Sequence, residues 1–415
     1  VRVASFIVAS LWLVACRSTS LEVDAGACAC VAPPPSLPPP PAAPSRTVRQ
    51  EPTASSPKVA PLAVCQARGQ LPLDAAREAF DARQYEKALS CAAQAAALSP
   101  GDVLAHVERA NALAQLERHA EAAQAYARAL ALDPDSLDAL AGAAHFYTVL
   151  LPSSREVDEL GSLYAERGFE LATSARDDAF ALVFARLSAM AFNDIGQAAD
   201  ALERAEWVLA RERADPEALH ERALALFELC RFDEARRAFA KLVDDPERGG
   251  WAHHHLGLLL ERQGKQADAD AHFLKARAID PEAFPPPVLL EPAAFRAELA
   301  RALAELPEDM KRDLRGIPVE MEDLPAEVDL VSGEPPLSPN ILGLFRGTPL
   351  GQPCEPEPDA KPGEPCRSIV VYRKNLARAV KTEAELKEQL RVTLLHEIGH
   401  LRGEDDSELA ARGLE

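Results

Sequence analysis

The chain has 415 residues, with 65 Asp+Glu against 45 Lys+Arg and a formal net charge of −20 at pH 7. That balance argues against a nucleic-acid binder, which needs a basic surface to displace counterions, and the length provides for two or three domains. Aromatic residues are only 5%, while Ala- and Leu-rich stretches dominate the middle of the chain, a composition that favours helices.

Residues 1–15 read as an export signal. Arg2 gives a minimal positive end, and the apolar run over residues 4–15 is too short to span a bilayer as a stable helix. The run ends in Leu13-Val14-Ala15-Cys16, which resembles the bacterial lipobox. That resemblance implies cleavage before Cys16 and lipidation of Cys16, so the body is expected to be exported and lipid-anchored in the bacterial cell envelope, facing the periplasm or the surface. Residues 16–64 hold prolines 33–35 and 38–41 among Ala, Ser and Thr. Such a segment cannot form a core and reads as a disordered, Pro-rich tether of polyproline type.

Eight cysteines suit an oxidising compartment. Cys354 and Cys366 flank a Pro/Glu-rich loop and are expected to pair, with Cys65 and Cys91 as a weaker candidate pair. Cys28 and Cys30 lie in the tether, and Cys230 reads as a buried free thiol within a helical repeat. No pair has C-x-x-C spacing, which argues against a Cys-based metal site.

From 65 to 283 the chain repeats with a period of roughly 34 residues. The stretch 69–102 carries Tyr85, Ala88, Ala95 and Pro100, and 103–136 carries Ala110, Ala122, Tyr126, Ala129 and Pro134. Further on, 216–249 has Ala223, Phe232, Ala235 and Phe239, and 250–283 has Leu256-Gly257, Gly264, Ala269, Phe273, Ala276 and Pro281. This pattern resembles the tetratricopeptide repeat (TPR) family, which implies an α-solenoid of helix pairs touching through small residues. Residues 137–215 are off-pattern, interrupted at Leu151-Pro152-Ser153-Ser154, and are expected to form two degenerate repeats with an insertion. The resemblance implies a concave face for an extended peptide or partner protein; a plain spacer between membrane and C-terminal domain is the alternative. His253-His254-His255 point about 100° apart on a helix and cannot converge on one ion.

Residues 292–415 form the last domain. A helix should begin near Pro292 and run to Leu306, followed by a short one over 307–314. Strand-like runs follow at 317–321, 341–345 and 369–372. The last helix should begin at Thr382, with Glu385 three residues on as in a capping box, and its apolar second half should make it a core helix. That helix carries His396-Glu397-x-x-His400. Residues four apart share a helical face, so both imidazoles can reach one metal ion, with Glu397 beside them to take a proton from water. Gly403 and Asp406 follow at spacings that let the chain turn and return a third ligand.

From about Pro292 onward the chain resembles the minimal zincin-like metallopeptidase family. The resemblance is carried by Leu306-Pro307, 319–325, 342–350, 369–373, and the stretch from Glu385-Leu386 through the H-E-x-x-H-x-x-G-x-x-D pattern to Gly413-Leu414. It implies a small α+β zincin-like fold with Zn2+ held by His396, His400 and Asp406, and Glu397 as general base. Asp405 stays open as the alternative third ligand. Two departures stand out: the Cys-bounded loop 354–366 reads as an insertion, and Leu401-Arg402 stands where family members often carry His-Phe. Tyr372, Arg373 and Arg402 are candidate oxyanion stabilisers. The expected function is an exported, membrane-tethered zinc metallopeptidase cleaving protein or peptide substrates that the repeats recruit. The alternative is a TPR interaction or assembly lipoprotein whose zinc domain is structural or non-peptidolytic.

Overall fold

The computed structural model describes Cys65, residues 71–354 and residues 365–414. The expected signal peptide, Cys16, and the tether with Cys28 and Cys30 lie outside the described residues.

Between Pro72 and Ile279 twelve α-helices follow one another, beginning with Pro72–Asp81 and Tyr85–Leu98 and ending with Gly249–Arg262 and Gln266–Ile279. The repeat is visible in the backbone itself. Arg83 and Glu117, and then Gly196, Cys230 and Gly264, all have φ between 56° and 77° in the turn between the two helices of a pair. The sharp turn needs the left-handed conformation whatever the side chain, a strained choice for Arg, Glu and Cys. Alanines fill the helix contacts: Ala110, Ala122, Ala129, Ala223, Ala235, Ala269 and Ala276 are fully buried.

The irregular middle contains two more helix pairs. Helix Leu137–His145 runs into a π-turn, Phe146–Leu150, before the chain leaves the helix at Leu151. Ser154 then caps Arg155–Ala175, accepting from Val157 N–H. The extra residues lengthen helices more than they form a separate insertion. Arg155–Ala175 has 21 residues where Tyr85–Leu98 has 14.

The C-terminal domain opens with helices Pro292–Glu305 and Glu308–Asp313, the first with Pro at its start as expected. Strands β1 (Val319–Glu322), β2 (Gly343–Arg346) and β3 (Ser368–Tyr372) form a sheet in the order β1-β3-β2. β1 runs parallel to β3 and β2 antiparallel to it. Ile369, Val371, Phe345 and Met321 share one sheet face and pack on Leu386, Leu390, Leu394 and Ile398 of the 20-residue helix Glu383–Arg402. Those four helix residues are at most 1% exposed, and burying each stabilises the domain by about 1.5–3 kcal/mol before entropy costs. Helix Arg373–Ala379 and two short helices, Glu327–Leu330 and Asp406–Ala410, were not legible as elements in the sequence.

Both expected cysteine pairs are disulfides, Cys65–Cys91 and Cys354–Cys366, and Cys230 is free and buried. The three neighbouring histidines diverge as expected. His253 Nδ1 meets His272 Nδ1 at 2.9 Å, His254 stacks on Phe284, and His255 stacks on Phe239.

A Cβ on Gly257 would lie 2.6 Å from the Phe273 ring, so this glycine sets how closely the last two array helices approach. Gly257→Val should lower stability by about 1–3 kcal/mol, read as a lower denaturation midpoint at unchanged m-value.

Candidate metal centre

Helix Glu383–Arg402 starts where its sequence predicts. Thr382 Oγ1 accepts from Glu385 N–H at 3.2 Å, while Glu385 reaches back to Lys381 N–H at 2.8 Å. It ends at Gly403, whose φ of 92° only glycine adopts readily. Asp405 then caps the short helix Asp406–Ala410 through a full capping box with Glu408. Leu409 packs on Gly399 so closely that a Cβ there would lie 2.3 Å from it. This contact holds the returning chain against the long helix.

The turn delivers Asp406. Its Oδ1 lies 3.5 Å from His396 Nε2 and 3.2 Å from His400 Nε2, and the two Nε2 atoms are 3.0 Å apart. Asp405 turns away, its carboxylate engaged with Ser407 Oγ and Glu408 N–H. Of the two adjacent carboxylates, Asp406 is the one that joins the histidines.

The remaining ring nitrogens fix the tautomer. His396 Nδ1 donates to Leu414 O at 2.6 Å and His400 Nδ1 to Glu404 O at 3.0 Å. A carbonyl only accepts, so in each neutral ring the proton sits on Nδ1 and the Nε2 lone pair faces inward. With both rings neutral, three acceptor atoms thus meet at one point. Such a donor set suits a positive charge, either a proton or a metal ion, and two imidazoles with a carboxylate fit a zinc ion. Among the described residues this is the one His/Cys/Asp/Glu cluster of three or more that could hold a metal.

The electrostatics agree. Burial alone would depress both histidines, but Asp406 and the backbone carbonyls outweigh it and hold both above their ordinary value. Burial likewise works to raise Asp406, yet the two histidines win and hold it well below the carboxylate range. The protons taken up by the histidines compete with a metal for the same lone pairs.

Glu397 is 6% exposed. Burial pushes its carboxyl up, against the pull of His396, His400 and the Phe345 N–H. A Cβ on Gly343 would come within 2.8 Å of Glu397 Oε1 and 2.7 Å of Thr393 Cγ2. The start of β2 is therefore glycine because the buried glutamate occupies the space beside it. A glycine in a strand signals such close approach, but the sequence alone does not say to what. The roles of Gly343, Gly399 and the Leu414 carbonyl are visible only in three dimensions.

None of the oxyanion candidates joins the cluster. Arg373 bonds Asp323 and Leu290 O, and Arg402 bonds Asp309 and Asp313. Both tie elements of the domain together. Tyr372 is fully buried with its hydroxyl unpartnered and raised by burial, and strand alternation turns it to the sheet face opposite Ile369 and Val371.

Residues 314–414 match the family model described as zincin-like metallopeptidase, and 73–136, 187–249 and 221–284 match tetratricopeptide repeat. The chain joins tetratricopeptide repeats to a zincin-like domain. The repeat matches skip 137–186, most of the stretch that departs from the sequence pattern. No curated protein matches the chain significantly. Among solved structures, it is similar to YrrB, described as a TPR protein with an unusual peptide-binding site (20% identity, 46% of this chain and 95% of that one, TM-score 0.37). It is also similar to PilW, a type IV pilus biogenesis factor (18%, 50% and 91%, TM-score 0.42), and to a tetratricopeptide repeat protein from Parabacteroides merdae (15%, 50% and 77%, TM-score 0.37). Likeness at this level carries no functional argument.

For the zincin-like domain, elemental analysis of the purified full chain should find about one zinc per protein, and none after His396→Ala. Asp406→Ala should weaken zinc binding by more than the ~10- to 100-fold that loss of an outer-shell partner costs, whereas Asp405→Ala should keep the metal and lose about 1 kcal/mol of stability with the cap. Zinc affinity should fall as pH drops through the raised range of the two histidines.

Proposed function

We propose that the zincin-like domain is a zinc-dependent metallopeptidase hydrolysing peptide bonds in protein or peptide substrates, and that the repeats recruit substrate or partner. We further propose that the protein is exported and held to the bacterial envelope through a lipid on Cys16.

The observation that carries the hydrolytic reading is Glu397. It is a buried carboxyl with raised proton affinity, beside three donor atoms that could hold a metal ion. A purely structural metal site has no use for such a group. In this reading His396, His400 and Asp406 hold the ion. When bound, zinc supplies a Lewis acid that polarises a carbonyl and acidifies water beside it. Glu397 accepts a proton at its carboxylate and later returns it to the leaving amine. A raised pKa suits both steps, because it makes the carboxylate a stronger base and brings its two protonation states closer in energy. Phe345 N–H and the tight contact with Gly343 hold the carboxylate in one place. Asp406 adds a negative charge where a third imidazole would be neutral, which tempers the Lewis acidity of the site.

Among the described residues β2 is an edge strand. Leu342 O is paired with Tyr372 N–H, so by antiparallel alternation Gly343 and Phe345 turn their backbone groups to the free side. An extended peptide laid along that edge would pass beside Glu397. The two disulfides support an oxidising compartment, in keeping with the lipobox-like run before Cys16.

Glu397→Gln should retain zinc and lose about 10²- to 10⁴-fold in kcat, and Gly343→Ala should lower kcat by displacing the glutamate. Digestion of a peptide library by the purified chain checks both, and identical cleavage by wild type and Glu397→Gln would sink the reading.

A further inference from the structure

The end of the repeat array touches the C-terminal domain at one end of its sheet. Arg262, closing helix Gly249–Arg262, donates from Nη2 to Pro325 O at 2.9 Å, just past β1. Glu261 beside it has a side chain 3% exposed; it accepts from Lys374 Nζ at 3.0 Å and pairs with Arg378, both in the helix that follows β3. Glu228, the last residue of helix Pro216–Glu228, accepts from Asn340 Nδ2 at 3.2 Å, just before β2. The Cys230 thiol lies 3.6 Å from Leu337 O in the same run. Because β1 is parallel and β2 antiparallel to β3, the segments after β1, after β3 and before β2 all lie at one end of the sheet. Gly343 is at that end.

The run before β2 is held almost residue by residue. Asn375 Nδ2 donates to Pro339 O at 3.0 Å and Ile341 O at 2.8 Å, and Tyr372 N–H to Leu342 O at 2.9 Å. The array adds Glu228 and Cys230. The next residue is Gly343, with no spare volume between it and Glu397. A shift in this run therefore reaches Glu397 directly.

Stability alone gives little reason for these carboxylates. Burying Glu261 with two cations costs about as much desolvation as the pairing returns, and burial pushes the Glu228 carboxyl up to about 7. What such pairs do supply is a fixed geometry.

We infer that Glu228 is a positioning residue of the hydrolytic centre: through Asn340 the end of the array clamps the run before β2 and thereby fixes β2 against Glu397. The kinetic part rests on the hydrolytic reading; the structural part does not.

The test uses the full zinc-loaded chain as wild type, Glu228→Leu, Glu228→Gln and Asn340→Leu. It follows amide hydrogen exchange over residues 340–346, zinc content, kcat and KM. Both Leu variants should raise exchange over 340–346 about tenfold and lower kcat about tenfold at unchanged KM. Zinc content and exchange in helix Val103–Gln115 should not change. Glu228→Gln keeps an acceptor for Asn340 and should stay within about twofold of wild type. Unchanged exchange over 340–346 in both Leu variants overturns the clamp, whatever kcat does. If exchange rises while no chain, wild type included, cleaves any peptide, the clamp on β2 stands and the hydrolytic reading fails. Should Glu228→Leu unfold its repeat, Asn340→Leu decides alone, since Asn340 lies outside the array.

Discussion

Two imidazole nitrogens and a carboxylate oxygen, all acceptors, are forced together at the end of helix Glu383–Arg402. Their convergence on one point is the constraint on which the domain's architecture depends. It is sustained by packing and hydrogen bonds around it: Leu409 on Gly399, the left-handed Gly403, and carbonyls at Glu404 and Leu414 that turn each lone pair inward. The fold thus brings the three groups together before any ion arrives, so a metal would compete only with the protons on the two histidines.

The same helix serves two masters. Its Leu386, Leu390, Leu394 and Ile398 stripe anchors it in the core, while the chemistry projects from its C-terminal turns. Precision at Glu397 then depends on β2, a short strand that among the described residues is paired on one side only. Contacts from helix Arg373–Ala379 and from the array stiffen the one place where mobility would blur the site.

Much of this was legible in the sequence, and for identifiable reasons. The H-E-x-x-H spacing is a property of helical geometry, and the cap at Thr382 and the stop at Gly403 use local backbone chemistry. The repeat showed because alanine and aromatic positions recur at a fixed interval. What stayed hidden depends on long-range approach. Asp405 and Asp406 are adjacent in the chain, and only the orientation of helix Asp406–Ala410 separates capping residue from cluster member. Arg373 and Arg402 looked available as free cations because their acidic partners lie 50 or more positions away. Gly343 gave a signal, a glycine in a strand, without naming the neighbour that requires it.

The disulfide Cys65–Cys91 governs how a load would enter the molecule. A solenoid frays from its ends, and helix Pro72–Asp81 is the first of the array. Cys91 sits in the following helix, Tyr85–Leu98. Tension arriving through Cys65 is passed covalently to that second helix and bypasses the first. A chain pulled from its N-terminal side would thus strain a sulfur bridge before it peeled a repeat.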